Sequence, residues 1–170
     1  RAVRVENLAI IDRAEQMDGG LTGITTGFSK LDEMTSGMQK SDLIILAARP
    51  AMGKTAFALS LARNAAVKGK ASVMIFSLEM AKEQLTQRLL SMESKVDLQT
   101  LKTGRLERRD WDDLNVALDI LSNSNIHIDD TAGISIMEMK SKCRRLKAEA
   151  GLDLVIIDYL QLMNPEGKAD

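Results

Sequence analysis

The sequence predicts an α/β protein in which a mostly parallel, twisted sheet is flanked by helices. Short, continuously apolar segments, typical of strands buried on both faces, alternate along the chain with amphipathic segments of helical spacing. In addition, the first apolar segment leads directly into a loop that contains glycine and lysine, and a helix follows at once. Both observations favour a sheet with helices on its two faces.

The composition narrows the class of protein. With 170 residues, 45% of them apolar, the chain is long enough to bury a core. The formal net charge of −1 excludes a globally basic nucleic-acid binder, although a local basic patch stays open. A single cysteine, Cys143, excludes an internal disulfide, and with the lone His127 it excludes an ordinary Cys/His zinc site. Neither a membrane span nor a signal peptide is found, which predicts a soluble protein of a reducing compartment.

Residues 1–20 predict a linker helix with a flexible exit. Apolar side chains recur with charges between them, and the sequence Asp18-Gly19-Gly20 then stops the pattern. A helix packed on its own domain and a linker that docks elsewhere both fit. Because the chain begins at Arg1 rather than at a methionine, we expect it to be a piece of a longer protein.

Four strands and four helices are predicted after this segment. Each strand is short and almost entirely apolar, as in a sheet covered on both faces. The predicted strands are Leu43–Ala48, Ser72–Ser77, Ile126–Asp129 and Leu154–Asp158. The predicted helices are Thr55–Val67, Ala81–Met92, a segment with an apolar stripe at Trp111, Leu114, Leu118 and Leu121, and Ser135–Ala150.

The loop from Ala48 to Thr55 predicts a phosphate-binding site. It matches the Walker A pattern G-x-x-x-x-G-K-[ST], except that Ala48 replaces the first glycine. In such a loop, successive backbone N–H groups surround the phosphates and the following helix N-terminus adds positive charge. Gly53 allows close approach of the backbone, Lys54 reaches the outer phosphates, and the Thr55 hydroxyl is a ligand for Mg²⁺.

Two carboxylates stand where a nucleotide-hydrolysing site needs them. Asp158 ends an apolar strand, which is the Walker B arrangement, and Glu79 comes just after the second strand. Since parallel strands bring their carboxyl ends to one edge of the sheet, both side chains are expected near the phosphates. Asp158 suits a metal role, and Glu79 suits the role of orienting or deprotonating a water molecule.

With these residues in view, the chain resembles the motor domain of DnaB-type replicative DNA helicases over essentially its whole length. Two segments, FSLEM and IIDYLQLM, are far more specific than the phosphate loop itself. The alanine at position 48 also suits this family's version of the loop. The segments that carry the resemblance are Thr22–Phe28 with Leu31 and Asp32, AARPAMGKTAFAL (47–59), FSLEM (76–80), CRRLK (143–147) and IIDYLQLM (156–163).

The resemblance implies a RecA-like P-loop NTPase core and a set of site residues. Glu79 would be the catalytic carboxylate, acting with Lys54, and Mg²⁺ would be held by Thr55 and by Asp158 through water. Arg88 would belong to the nucleotide site, although an ordinary solvated helix arginine is an equal alternative. The nucleotide-binding residues implied by the family are Ala51, Met52, Gly53, Lys54, Thr55, Ala56 and Arg88.

The resemblance also implies partners: ATP with Mg²⁺, single-stranded DNA, a homo-hexameric ring, primase and a helicase loader, in the cytoplasm of a bacterium. Residues 1–20 would be the linker helix that packs on a neighbouring subunit, and residues 21–170 the amino-terminal part of the ATPase domain. In the family, a strand that comes later in the chain separates the phosphate-loop strand from the Walker B strand. We therefore expect this chain to hydrolyse ATP poorly by itself, because it has no arginine finger and an incomplete sheet.

A basic run on the last predicted helix admits a second interpretation. It comprises Lys140, Lys142, Arg144, Arg145 and Lys147. Glu138 and Glu149 lie four residues from two of these cations, which favours a solvated helix face with ion pairs over a DNA-binding surface.

Two alternative functions also stay open: an ATP-dependent switch or assembly ATPase without unwinding activity, and a small-molecule kinase, for which no arginine-rich lid is found.

Overall fold

The computed structural model describes residues 21–159 and divides the chain into two compact units, Arg1–Leu46 and Ala47–Asp170. The linker helix predicted within residues 1–20 and the last part of the IIDYLQLM motif lie outside the described residues. Within residues 21–159, no helix is long and apolar enough to cross a membrane.

The first unit is organised around a short helix, α1 (Ser29–Thr35), which the sequence analysis did not predict. An isolated antiparallel bridge joins Ile24 to Met38 on either side of this helix. Gly23 is required beside this bridge, because a Cβ atom there would lie 2.4 Å from the carbonyl oxygen of Met38. The Asp32 carboxylate of α1 accepts hydrogen bonds from the hydroxyls of Thr25 and Thr26, which joins the helix to the segment before it.

The predicted strand Leu43–Ala48 is wrong. Residues 42–49 form no strand in the structure, and Leu43 and Ile45 are 85% and 77% exposed. A strand exists only where a neighbour pairs with its N–H and C=O groups, and no described strand pairs with this segment. Apolar composition alone was therefore not sufficient to predict a strand in this segment.

The second unit alternates strands and helices as predicted, with one further short helix. Three of the four predicted strands are confirmed, and all the predicted helices are present. In chain order the elements are α2 (Lys54–Val67), β1 (Val73–Ser77), α3 (Lys82–Ser94), α4 (Leu98–Thr103), α5 (Arg108–Ser122), β2 (Ile126–Asp129), α6 (Ile136–Glu149) and β3 (Leu154–Asp158).

The three described strands form a parallel sheet in the order β2-β1-β3. The central strand β1 is buried along its whole length, which explains its unbroken apolar sequence. Phe76 of β1 is fully buried and packs in a cluster with Met74, Ile134 and Met139. Ser77 at the end of β1 is in register with Asp158 at the end of β3, so the carboxyl ends of these two strands lie at the same edge of the sheet.

Helix α5 buries a narrower face than its apolar stripe predicts. Leu114 and Ala117 are buried, whereas Trp111 and Leu118 are exposed. The buried side of α5 is the side that contacts α3, the helix on which α5 packs most extensively. Helix α3 is in turn tied to α2 by an ion pair between Arg63 and Glu93.

Helix α6 carries the basic run, and its ion pairing differs from the expectation. Lys142 pairs with Asp129 at the end of β2, at 2.6 Å, rather than with Glu138 one turn earlier. Among residues 21–159, neither Glu138 nor Glu149 takes part in an ion pair. The half-buried carboxylate of the neighbouring strand is the stronger partner, because a surface pair on one helix gains little in water.

We predict that the Lys142–Asp129 pair contributes to stability only where Asp129 is ionised. Burial raises the pKa of this carboxyl, but hydrogen bonds from Lys142 and Thr131 outweigh it, so the pKa lies below its ordinary value of 3.8. Because the pKa of Asp129 is lower in the folded state, its ionised form contributes to the free energy of unfolding. This contribution is complete at pH values above the ordinary pKa and is lost progressively as the pH falls below it.

Lys142→Met should therefore lower the free energy of unfolding by about 1 kcal/mol at pH 7. Chemical denaturation at several pH values should show this difference shrinking below pH 3.8. Lys140→Met, a change at an exposed lysine of the same helix, is the matched control. A deficit for Lys142→Met that stays constant down to pH 3 would contradict the prediction.

Candidate functional site

The loop that precedes α2 lines one side of an open cavity of about 510 Å³. Two of its residues, Ala51 and Gly53, have left-handed backbone conformations, with φ values of 62° and 83°. When residues of such a loop adopt the left-handed backbone conformation, successive N–H groups point toward one concave side of the loop. This geometry binds anions. A Cβ atom at position 53 would meet no protein atom within 4 Å, so lack of space is not the reason for glycine there. The reason is the positive φ angle, which glycine adopts without strain.

The N-terminus of α2 adds to this anion-binding geometry. Gly53 occupies the N-cap position and offers no side chain to the first N–H groups of the helix. The residues of the first helical turn, Lys54, Thr55 and Ala56, all line the cavity. Unsatisfied donors and the helix dipole together make this end of α2 a favourable place for phosphate oxygens.

Asp158 connects the end of β3 to the first turn of α2. The hydroxyl of Thr55 donates a hydrogen bond of 2.5 Å to Asp158 Oδ2, and the Lys54 ammonium lies 3.1 Å from Oδ1. Asp158 is only 8% exposed. The ammonium of Lys54 also lies 4.2 Å from the centre of the Tyr159 ring, a cation–π contact.

Glu79 reaches the same cavity from the loop that follows β1. This loop is held in place because the Leu78 N–H donates to the Asp158 carbonyl at 2.8 Å. It is also closed on itself, since the Ser77 hydroxyl donates to the Met80 carbonyl at 2.6 Å. The Glu79 side chain is itself exposed to solvent, so a water molecule can reach its carboxylate.

The structure brings almost all the predicted site residues together. Ala51, Gly53, Ala56 and Arg88 line the cavity with Lys54, Thr55 and Glu79. Asp158 joins them through its contacts with Lys54 and Thr55. The exception is Met52, which does not line the cavity and whose side chain is 72% exposed.

Sequence reasoning missed two residues of the cavity wall, Tyr159 and Met80. Tyr159 is the more informative of these, because its ring contacts the phosphate-loop lysine. Its position directly after a strand-ending aspartate was a usable signal, since side chains at the carboxyl ends of parallel strands gather at one edge. The remaining wall residues, Ala48, Arg49 and Pro50, belong to the predicted phosphate loop, although no separate role was predicted for them.

The donor set fits a magnesium ion carried by phosphates rather than a metal held by protein alone. Within residues 21–159, no group of three or more His, Cys, Asp or Glu side chains is placed to hold a metal. Mg²⁺ usually takes one or two protein oxygens and completes its shell with water and phosphate oxygens. The Thr55 hydroxyl and the buried Asp158 carboxylate, in direct contact, provide such a pair.

Comparison with known proteins settles the family. The profile of the DnaB-like helicase C terminal domain matches residues 23–170. The chain belongs to this family. The resemblance inferred from the phosphate loop, FSLEM and IIDYLQLM is thereby confirmed.

Curated relatives of this DnaB-like domain are replicative helicases. The chain is 52% identical over 167 residues to replicative DNA helicase DnaC of Bacillus subtilis (strain 168). It is 50% identical, again over 167 residues, to replicative DNA helicase DnaB of Geobacillus stearothermophilus. In both comparisons 98% of the chain is aligned, and it spans 37% of the relative's length.

Solved structures of similar proteins share the fold. One of them, described as an ATPase domain, superimposes with a TM-score of 0.88 at 38% identity, covering 99% of this chain and 60% of that one. A DnaB-like replicative helicase, described together with its interactions with primase, gives a TM-score of 0.85 at 39% identity, over 96% of this chain and 40% of its own. The predicted fold class, a parallel α/β sheet of the RecA-like ATPase type, is confirmed.

Proposed function

We propose that this DnaB-like domain is the ATP-hydrolysing motor of a replicative DNA helicase that unwinds duplex DNA at the replication fork. The observation that carries the ATP-hydrolysing part of the proposal is the contact of Asp158 with both Thr55 and Lys54 beside the phosphate loop. This contact brings the proposed metal-binding pair close to a cation that can bind phosphate. The replicative helicases among the relatives support the unwinding of DNA.

In this proposal each side chain of the cavity has a separate task. The loop amides and the N-terminus of α2 bind the phosphates, and Lys54 neutralises charge on the outer ones. Thr55 would hold Mg²⁺ directly and Asp158 would hold it through water, and the ion when bound would neutralise charge on the phosphate oxygens. Glu79 orients a water molecule and accepts its proton, and Arg88 contributes charge from α3.

The wider assembly belongs to the proposal as well. We expect a homo-hexamer on single-stranded DNA in the bacterial cytoplasm, associated with the nucleoid during replication. Primase and a helicase loader are the proposed protein partners, and a structural neighbour described with its primase interactions supports the first. Residues 1–20 are proposed to be the linker helix of this assembly, and residues 21–170 the amino-terminal part of its ATPase domain.

The proposed function is tested on the full-length protein that contains this chain. The expected result is ATP hydrolysis that is stimulated by single-stranded DNA, together with ATP-dependent unwinding of a forked duplex. ATP binding and hydrolysis without DNA stimulation or unwinding would contradict the helicase function and support the alternative, an ATP-dependent switch or assembly ATPase.

We predict that the 170-residue chain by itself hydrolyses ATP much more slowly than the full-length protein. The segment 42–49 before the phosphate loop forms no strand, so one end of the loop lacks the support of a sheet. The family resemblance also implies an arginine supplied by a neighbouring subunit, and such arginines accelerate hydrolysis about 10³-fold or more. Steady-state ATPase assays on both proteins, at equal site concentrations, would contradict this prediction if the two rates agreed.

A further inference from the structure

The start of helix α3 lacks a capping side chain of its own. Its N-cap residue is Ala81, with an extended backbone (φ −64°, ψ 147°), and a methyl group cannot accept a hydrogen bond. The first N–H groups of a helix need acceptors, and Ser, Thr, Asp and Asn are the residues that usually supply them. The position has the right backbone geometry but the wrong side chain.

A carboxylate from the loop after β2 supplies the missing acceptor. The N–H of Lys82, the first residue of α3, donates to Asp130 Oδ2 at 3.0 Å, across a sequence separation of 48 residues. Asp130 directly follows β2, so its negative charge lies at the positive end of the α3 dipole. The contact joins the loop after β2 to the loop after β1.

Asp130 is itself held in a firm position by its neighbours. The adjacent Asp129 carboxylate accepts the N–H of Thr131 at 3.0 Å and the ammonium of Lys142 at 2.6 Å. Lys142 also donates to the Thr131 hydroxyl at 3.0 Å. These bonds attach the loop after β2 to helix α6. They therefore restrict the movement of Asp130 relative to the first turn of α3.

The segment that Asp130 anchors is the one that carries Glu79. Only residues 78–81 separate β1 from α3. The β1 end of this segment is fixed by the bond from the Leu78 N–H to the Asp158 carbonyl. Its other end, where α3 begins, is fixed by Asp130.

We propose that Asp130 is a positioning residue for Glu79, a role that rests on the proposed ATPase function. By holding the first turn of α3, it keeps the short loop 78–81 in the geometry that presents Glu79 to the cavity. Misplacing a catalytic group by a fraction of an ångström to 1 Å lowers the rate by about 10- to 100-fold. Binding should change little, because most of the nucleotide-binding groups lie on α2 and its loop. Arg88 lies on α3 but beyond its first turn, to which fraying is confined.

The test uses Asp130→Ala in the full-length protein and measures kcat and KM for ATP together. We expect kcat to fall about tenfold while KM stays within about twofold. Amide hydrogen exchange should show faster exchange at Lys82 and its two successors. Asp112→Ala, which removes an exposed carboxylate on α5, is the matched control and should leave all three quantities unchanged.

A rescue variant separates capping from any other role of Asp130. Ala81→Ser adds a hydroxyl at the N-cap position of α3, where the extended backbone suits it. Combined with Asp130→Ala, it should restore most of kcat and the amide protection. Asp130→Asn, which keeps an acceptor oxygen, should retain most of kcat and provides the measurement if Asp130→Ala does not fold.

The outcomes distinguish this proposal from the proposed function. Normal kcat in Asp130→Ala, a rise in KM in place of the fall in kcat, or failure of Ala81→Ser to rescue would overturn the positioning role and leave the ATPase function standing. If the wild-type protein hydrolyses no ATP, the ATPase function fails and Glu79 positioning fails with it. The hydrogen-exchange result then still decides whether Asp130 caps α3.

Discussion

Replacing Lys54 by alanine is expected to abolish ATP hydrolysis and duplex unwinding by the full-length protein while the fold is retained. Lys54 is the first residue of α2, and its ammonium lies beside the phosphate loop, in contact with Asp158 and with the Tyr159 ring. Removing a preorganised positive group from a site where charge develops lowers the rate by about 10²- to 10³-fold. The fold should persist because Asp158 keeps the hydrogen bond from the Thr55 hydroxyl.

The measurement is ATP turnover with and without single-stranded DNA, combined with circular dichroism of the purified variant. Lys68→Ala removes a lysine at the other end of α2, where it is exposed, and should leave turnover unchanged. Wild-type turnover in Lys54→Ala would remove Lys54 from the site. A variant that loses its folded spectrum would instead make the lysine a structural counterion of Asp158.

Glu79→Gln is expected to separate ATP binding from ATP hydrolysis. The amide has nearly the same shape as the carboxylate but cannot accept a proton from water. Loss of a general base lowers a rate by about 10²- to 10⁴-fold. ATP binding in the presence of Mg²⁺ should stay close to that of the wild type, because the contacts among Lys54, Thr55 and Asp158 form without Glu79.

Single-turnover hydrolysis and equilibrium binding of a fluorescent ATP analogue measure the two effects separately. Glu83→Gln is the matched control, since it makes the same change in the first turn of α3 at a residue that does not line the cavity. If Glu79→Gln lost ATP binding, Glu79 would take a metal-binding or structural role. Unchanged hydrolysis would remove it from the chemistry altogether.

The local patterns that succeeded are those in which neighbouring residues decide the structure. The phosphate loop is a run of eight residues, Ala48–Thr55, whose backbone angles depend on its own glycine and on the helix that follows. The buried strand β1 was recognised because a strand covered on both faces needs an unbroken apolar sequence. The partly buried strand β3 was recognised by the same apolar pattern. The meeting of Glu79 and Asp158 at one edge then followed from parallel pairing, which the register of Ser77 with Asp158 now shows.

The prediction for Leu43–Ala48 was wrong because pairing, unlike composition, is not a local property. The segment is as apolar as β3, yet it forms no strand. The apolar stripe of α5 correctly indicated a helix but not which of its residues are buried, since the packing partner α3 decides which side is buried.

Local sequence was thus sufficient for the family, because its motifs are formed by residues that are close in the chain. It also singled out the phosphate loop and the two carboxylates that we propose for the site. Tertiary packing decided the partners of the charged groups. Lys142 pairs with Asp129 rather than with its helical neighbour, Lys54 is held by Asp158 and Tyr159, and Asp130 caps a helix 48 residues away. Such contacts join segments that only the folded sheet brings together. The partly buried ion pairs of Lys142 and Lys54 are also stronger than the surface pairs that spacing along one helix suggests.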